Sequence, residues 1–156
     1  MAIIKAVASS NRSLSDMIYY VMNEKKVIFT HGYGLNPKYA HMEMQFVQDM
    51  WHKAEGRQYK QFIVSFSQDE SNWLDLHSFC HIGRSVGEYY GRNWQTLIIG
   101  HGNTEKAHYH IIVNTVNPIT GIKLTTSWSD LFWFKFYVNE IIQEYGVEVI
   151  GVKKFA

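Results

Sequence analysis

Gly100 to Pro118 reads G-H-G-N-T-E-K-A-H-Y-H-I-I-V-N-T-V-N-P, and its second half is a short apolar run from about Ala107 to Val116. Side chains on a strand alternate between faces. His108, His110, Ile112 and Asn114 therefore share one face, while Tyr109, Ile111 and Val113 share the other. Apolar residues follow at once on both faces, which predicts a central strand. His101 stands where a preceding strand would end, so three imidazoles could converge on one point. Three neutral imidazoles with open positions make a binding or catalytic metal site. Eight histidines in 156 residues also form H-x-H pairs by chance, and the pair alone is a weak signal. Its place on a central strand strengthens it, because an unpaired polar row there is costly.

Working outward, the residues after Gly91 supply the strand Trp94 to Gly100, and its tight junction across 102–106 predicts a hairpin with the histidine strand. Upstream, Ala2 to Ala8 reads as a first strand. Ser9, Ser10, Asn11 and Ser13 then offer turn and N-cap chemistry for a helix to about Met22. In that helix Leu14, Met17, Ile18 and Val21 define the buried face. At about 100° per residue, Tyr20 flanks that face and Tyr19 points outward.

A short strand from Lys25 to Thr30 is expected before the turn-rich H-G-Y-G-L-N-P. Asn36 and Pro37 then start a second helix, whose apolar stripe reads Tyr39, Met42, Phe46, Val47, Met50 and Ala54 before Gly56 ends it. Tyr59 to Phe66 alternates as a strand. A third helix is expected from about Ser71 to Tyr90, with Leu76, Phe79, Cys80 and Val86 inward. Ser127 can cap a last helix to Tyr145, closed by Gly146. Its first half, W-S-D-L-F-W-F-K-F-Y, is aromatic on nearly every side, which suits burial on several sides, or a partner or platform for unstacked bases.

This order predicts an α+β fold, a central antiparallel or mixed sheet with helices packed on it, built by residues 1–156 as one domain. With 46% hydrophobic and 15% aromatic residues the chain can bury a sizeable core. One cysteine excludes an internal disulfide, and no run reaches the length of a membrane span. A soluble, intracellular chain is expected. The net charge of +1, from 15 Lys+Arg against 14 Asp+Glu, does not announce a nucleic-acid binder. The cluster Lys53, Arg57 and Lys60 reads as ordinary solvated surface.

With those residues in place, the chain resembles the relaxase, or mobilization nuclease, family of the HUH endonucleases, which nick one DNA strand at a transfer origin. The similarity covers nearly the whole chain. The family's third motif looks like H-x-D-x-x-x-x-H-x-H followed by apolar residues, Asn and Pro; here it is His101, Asn103, His108, His110, Asn114 and Pro118. The first is a helix with a nucleophilic tyrosine before a Lys-rich turn, matched by S-L-S-D-M-I-Y-Y-V-M-N-E-K-K. The second, Y-K-H-F-V-x-S-F, appears as Y-K-Q-F-I-V-S-F and places its serine at Ser65. Two departures stand out: Asn103 replaces the usual acid, and S-Q-D-E replaces the Pro-Gly after the serine motif.

The resemblance implies a relaxase-like palm related to ferredoxin and RRM folds, with Tyr20 as nucleophile and Tyr19 beside it. It implies His101, His108 and His110 as ligands of a divalent cation, with Ser65, Asn103 and Asn114 in DNA-binding or supporting roles. Imidazole donors favour Mn²⁺, Zn²⁺ or Ni²⁺ over Mg²⁺, and the resemblance implies Mg²⁺ or Mn²⁺. The expected ion is Mn²⁺ or Mg²⁺, with Zn²⁺ as a further option. Implied partners are single-stranded DNA at a transfer origin beside a hairpin, accessory relaxosome proteins and a coupling protein, in a bacterial cytoplasm with no membrane association.

The expected reaction is tyrosine transesterification, giving a 5′-phosphotyrosyl intermediate that a 3′-hydroxyl can reverse. Asp16, one turn before Tyr20, is a general-base candidate by spacing, beside its ordinary reading as a helix N-terminal acid. Rolling-circle initiators and single-tyrosine transposases share the chemistry, but their tyrosine usually follows the histidine motif. From another class comes a catalytically silent single-stranded-DNA-binding module, a reading that Asn103 supports.

Overall fold

The computed structural model describes residues 1–7, 12–23, 25–102 and 104–152. Among these, the apolar runs form strands β1 (Ile3–Ala6), β2 (Val27–Tyr33), β3 (Tyr59–Ser65), β4 (Thr96–His101) and β5 (His108–Asn114). They pair antiparallel throughout in the order β1-β3-β5-β4-β2, which makes the histidine strand central. The helices are α1 (Leu14–Met22), α2 (Ala40–Met50), α3 (Gln68–Trp73), α4 (Leu76–Gly91) and α5 (Trp128–Ile142). The α+β expectation of a central sheet carrying helices is what forms.

Directly opposite residues on paired strands share a face. Register places His101 opposite His108 and Ser65 opposite His108 from the other side, with His110 between Ile99 and Ile63. The far face carries Phe62, Val64, Tyr109 and Ile111 and buries them under Phe79, Ile82 and Val86 of α4 and Phe134 and Val138 of α5. The histidine face carries Leu97, Ile99 and Ile112, which α1 and α2 cover with Leu14, Met17, Ile18, Val21, Ala40 and Met44. These two helices reach only part of that face. Toward β1 and β3, Ile3 and Lys5 are exposed and Ile63 and Ser65 half-buried, so that half stays open beside the histidines.

Several boundaries differ from the sequence reading. β2 continues to Tyr33, because His31, Gly32 and Tyr33 pair with Ile98, Leu97 and Thr96. The expected third helix is two. Ser67 and Glu70 make a reciprocal capping box for α3, and Asp75 then accepts from Ser78 N–H to start α4, leaving Leu76 exposed. α2 ends at Met50, well before Gly56. Its buried side is only partly the predicted one: Val47 is buried as expected and Met44 is fully buried, whereas Met42, Phe46 and Met50 face solvent and Phe46 is 68% exposed.

The reason lies across the sheet. Asn114 is completely buried, and its amide accepts from Gln48 Nε2 at 2.9 Å, donates to Gln95 Oε1 at 2.8 Å and to the Met44 carbonyl at 3.2 Å. Satisfying that buried amide turns the polar Gln48 inward and fixes the rotation of α2. On α5, Ser127 and Asp130 form a capping box, Phe134 is buried, and Trp128 and Trp133 are exposed. The aromatic half-helix is thus buried on one side only.

Candidate functional site

α1 rises along the histidine face from Gln58, whose Oε1 accepts from Leu14 N–H at 3.4 Å, to β4. The last turn of a helix leaves carbonyls without internal partners. One of them, Val21 O, accepts from His101 Nε2 at 3.0 Å. A carbonyl oxygen can only accept, so Nε2 carries the proton and Nδ1 of the neutral ring keeps its lone pair. His108 is fixed in the same way from the hairpin, its Nδ1 donating to Lys106 O at 2.9 Å and leaving the lone pair on Nε2. Those two nitrogens, His101 Nδ1 and His108 Nε2, face each other at 3.1 Å. Facing lone pairs at that distance repel unless a proton or a cation lies between them.

His110 completes the set. Its ring centroid lies 4.6 Å from that of His101 and 5.0 Å from that of His108, and one ligand atom from each of the three falls within 4.8 Å of the others. Burial, followed by the electrostatic cost of a positive charge beside the His101 and His108 imidazoles, pushes its pKa down to about 3. It is therefore neutral at ordinary pH, which is the ligating form. The negative end of α1 adds a field that favours positive charge here. Tautomers, burial and donor type all fit a divalent cation, and the three histidines that the sequence nominated are brought together.

An open groove of about 470 Å³ starts at His108 and His110 and crosses the uncovered half of the sheet, past Ser65 and Ile63, to Ile3 and Lys5. Lys106 also lines it, and none of the described residues along it is acidic. Lys5 and Lys106 went unassigned in the sequence. Only the β1–β3 pairing, which sets Lys5 opposite Ile63, puts Lys5 on the histidine face.

Tyr20 stands in the last turn of α1, one residue before the carbonyl that holds His101. It is 48% exposed against 70% for Tyr19, and the Arg12 guanidinium lies 3.9 Å from its ring centroid. Tyr20 shares a small pocket with Arg12, Asp16, Tyr19 and Asn23 and does not line the histidine groove. Tyr19 also borders a larger cleft of about 550 Å³ between α1 and α2, which contains none of the three histidines. Among the described residues no hydrogen bond joins Asp16 to Tyr20; the Asp16 backbone N–H caps onto Ser13 Oγ at 3.2 Å. Asn114 lies under α2 in the amide network, away from solvent. Asn103 lies outside the described residues.

Residues 20–147 match the relaxase family described as MobA/VirD2-like, nuclease domain. The chain belongs to this relaxase family. Protein rlx of Staphylococcus aureus is 23% identical to this relaxase chain over 141 residues, which are 90% of this chain and 41% of that protein. The chain thus spans less than half of that relative's length. Among solved structures, the MobM relaxase domain bound to oriT DNA of plasmid pMV158, Mn-bound at pH 6.8, superposes with a TM-score of 0.66 at 12% identity, covering 99% of this chain and 94% of that one. A structure from work on vancomycin resistance transfer in Staphylococcus aureus gives 0.55 at 12% identity, covering 84% and 78%. At these identities the structures establish the relaxase fold. No helix among the described residues is long and apolar enough to cross a membrane.

Proposed function

We propose that this relaxase domain nicks single-stranded DNA at a transfer origin of a bacterial mobile element, with Tyr20 as nucleophile and His101, His108 and His110 holding a divalent cation, Mn²⁺ or Mg²⁺. The observation that carries the reading is the convergence of the three histidines, with His101 Nδ1 and His108 Nε2 3.1 Å apart, beside the tyrosine-bearing helix end. The Mn-bound relaxase with the same fold supports the choice of ion.

A cation held there supplies Lewis-acid stabilisation of charge on the non-bridging phosphate oxygens. The groove does the positioning: Lys5 and Lys106 contact backbone phosphates, and Ser65, in the same row as His108, donates to a phosphate oxygen near the centre. Tyr20 Oη attacks phosphorus, the bond from phosphorus to the 3′-oxygen breaks, and the 3′-hydroxyl leaves with a proton. The 5′ end stays on the tyrosine, and attack by a 3′-hydroxyl rejoins the strand. Exposure of Tyr20 at the helix end leaves it reachable by a bound strand, with the Arg12 guanidinium lying over its ring. Accessory proteins that present the origin and a coupling protein are the partners of such a reaction, in the bacterial cytoplasm.

The test is a denaturing gel of labelled origin oligonucleotides with Mn²⁺, comparing the parent protein, Tyr20→Phe and a chelated control. A covalent adduct that needs both metal and Tyr20 is expected. An adduct that survives Tyr20→Phe transfers the role to Tyr19. Binding with no adduct would make the chain the catalytically silent module.

A further inference from the structure

Three lone pairs converge on one cation only if His110 offers Nε2, which requires its proton on Nδ1. The neighbour at Nδ1 is the Gln61 side chain, buried on β3, with its amide nitrogen 3.0 Å away. In that orientation the amide donates, Nδ1 is the acceptor, and the proton of the neutral ring sits on Nε2. That proton points into the cluster and blocks a third ligand. Turning the amide by 180° exchanges nitrogen for oxygen in the same place; Oε1 then accepts from Nδ1–H and frees Nε2.

The geometry points to Gln61 as the positioning residue of the metal centre, its amide orientation coupled to whether His110 can ligate. The assignment rests on the metal reading of the histidine triad. Carbonyl oxygens hold the outer proton of His101 and of His108, which leaves the inner nitrogen of each neutral ring to an ion. His110 is held by a group that can either donate or accept. Its partner is thus a place in the triad where a side-chain rotation sets metal affinity. Glutamine also makes this centre neutral where a carboxylate in its place would add charge and raise ligand basicity.

The test is Mn²⁺ titration by calorimetry, together with ring ¹⁵N spectra of the apo protein and of the protein loaded with diamagnetic Zn²⁺. Gln61→Leu is expected to weaken Mn²⁺ binding about 10- to 100-fold, and Gln61→Glu, an obligate acceptor, to tighten it. Melting temperatures in chelator serve to confirm that both variants fold. In the parent, the His110 proton is expected on Nε2 without metal and on Nδ1 with it. A Gln61→Leu affinity equal to the parent's, or a loaded His110 that keeps its proton on Nε2, overturns the assignment and leaves the metal site standing. A parent that binds neither ion overturns both.

Discussion

His101 is the residue on which the centre turns, because it joins a helix end to a strand end through a single proton. Replacing it by alanine leaves Val21 O without its buried donor and removes one of the three imidazoles proposed to hold the ion. His101→Ala is expected to abolish stoichiometric Mn²⁺ binding, read by calorimetry, while His81→Ala on α4 leaves it unchanged. In the proposed groove Lys5 and Lys106 would act through charge. Each lysine-to-alanine change is expected to weaken single-stranded DNA binding without sequence preference and to reduce the salt slope, log K against log salt, by about 0.7. Fluorescence anisotropy across a salt series measures it, and an unchanged slope would remove that lysine from the groove. Glu70 is a third case. Burial pushes its carboxyl up, but hydrogen bonds from Ser67 N–H and from the chain's terminal ammonium outweigh burial and hold it below the ordinary glutamate value. A depressed carboxyl contributes stability above its unfolded pKa and loses it as pH falls through the lower folded one. Urea midpoints should therefore fall less steeply below pH 4.5 in Glu70→Gln than in the parent.

At the scale of elements, α2 separates what periodicity predicts from what packing selects. Two apolar stripes run along it, Met42-Phe46-Met50 and Ala40-Met44-Val47, and the buried amide of Asn114 decides between them by drawing in Gln48. Met44→Ala is expected to cost about 2–5 kcal/mol. Phe46→Lys should change stability by less than about 0.5 kcal/mol. Chemical denaturation of both variants tests the orientation, since the reverse order of costs would mean the sequence-predicted face is the buried one. α4 depends on a different device. At Gly87 an added Cβ would lie 2.4 Å from Ile98 Cδ1, so the helix rides directly on the sheet. Gly87→Ala should destabilise by about 1–3 kcal/mol through overpacking, despite the better helix propensity of alanine.

For the whole molecule, the histidine cluster ties α1 to β4 and β5, so the proposed ion binding should couple to stability. At an ion concentration 100 times its Kd, binding adds about 2.7 kcal/mol. For a domain of this size that corresponds to a Tm rise of roughly 5–11 °C. The rise should vanish in chelator and in His101→Ala; a parent Tm unmoved by saturating Mn²⁺ would exclude the coupling. The sequence by itself determined the α+β class, the convergence of His101, His108 and His110, and the buried face of α1, because strand alternation, hairpin length and helical periodicity are local properties. Only the tertiary structure decided which half of the sheet α1 and α2 leave open, that Lys5 and Lys106 line it, that Asn114 serves α2 from within the core, and that Gln61 meets His110. Those depend on strand order and register, which bring together residues far apart in the chain, and on the satisfaction of buried polar groups, which no short stretch of sequence contains.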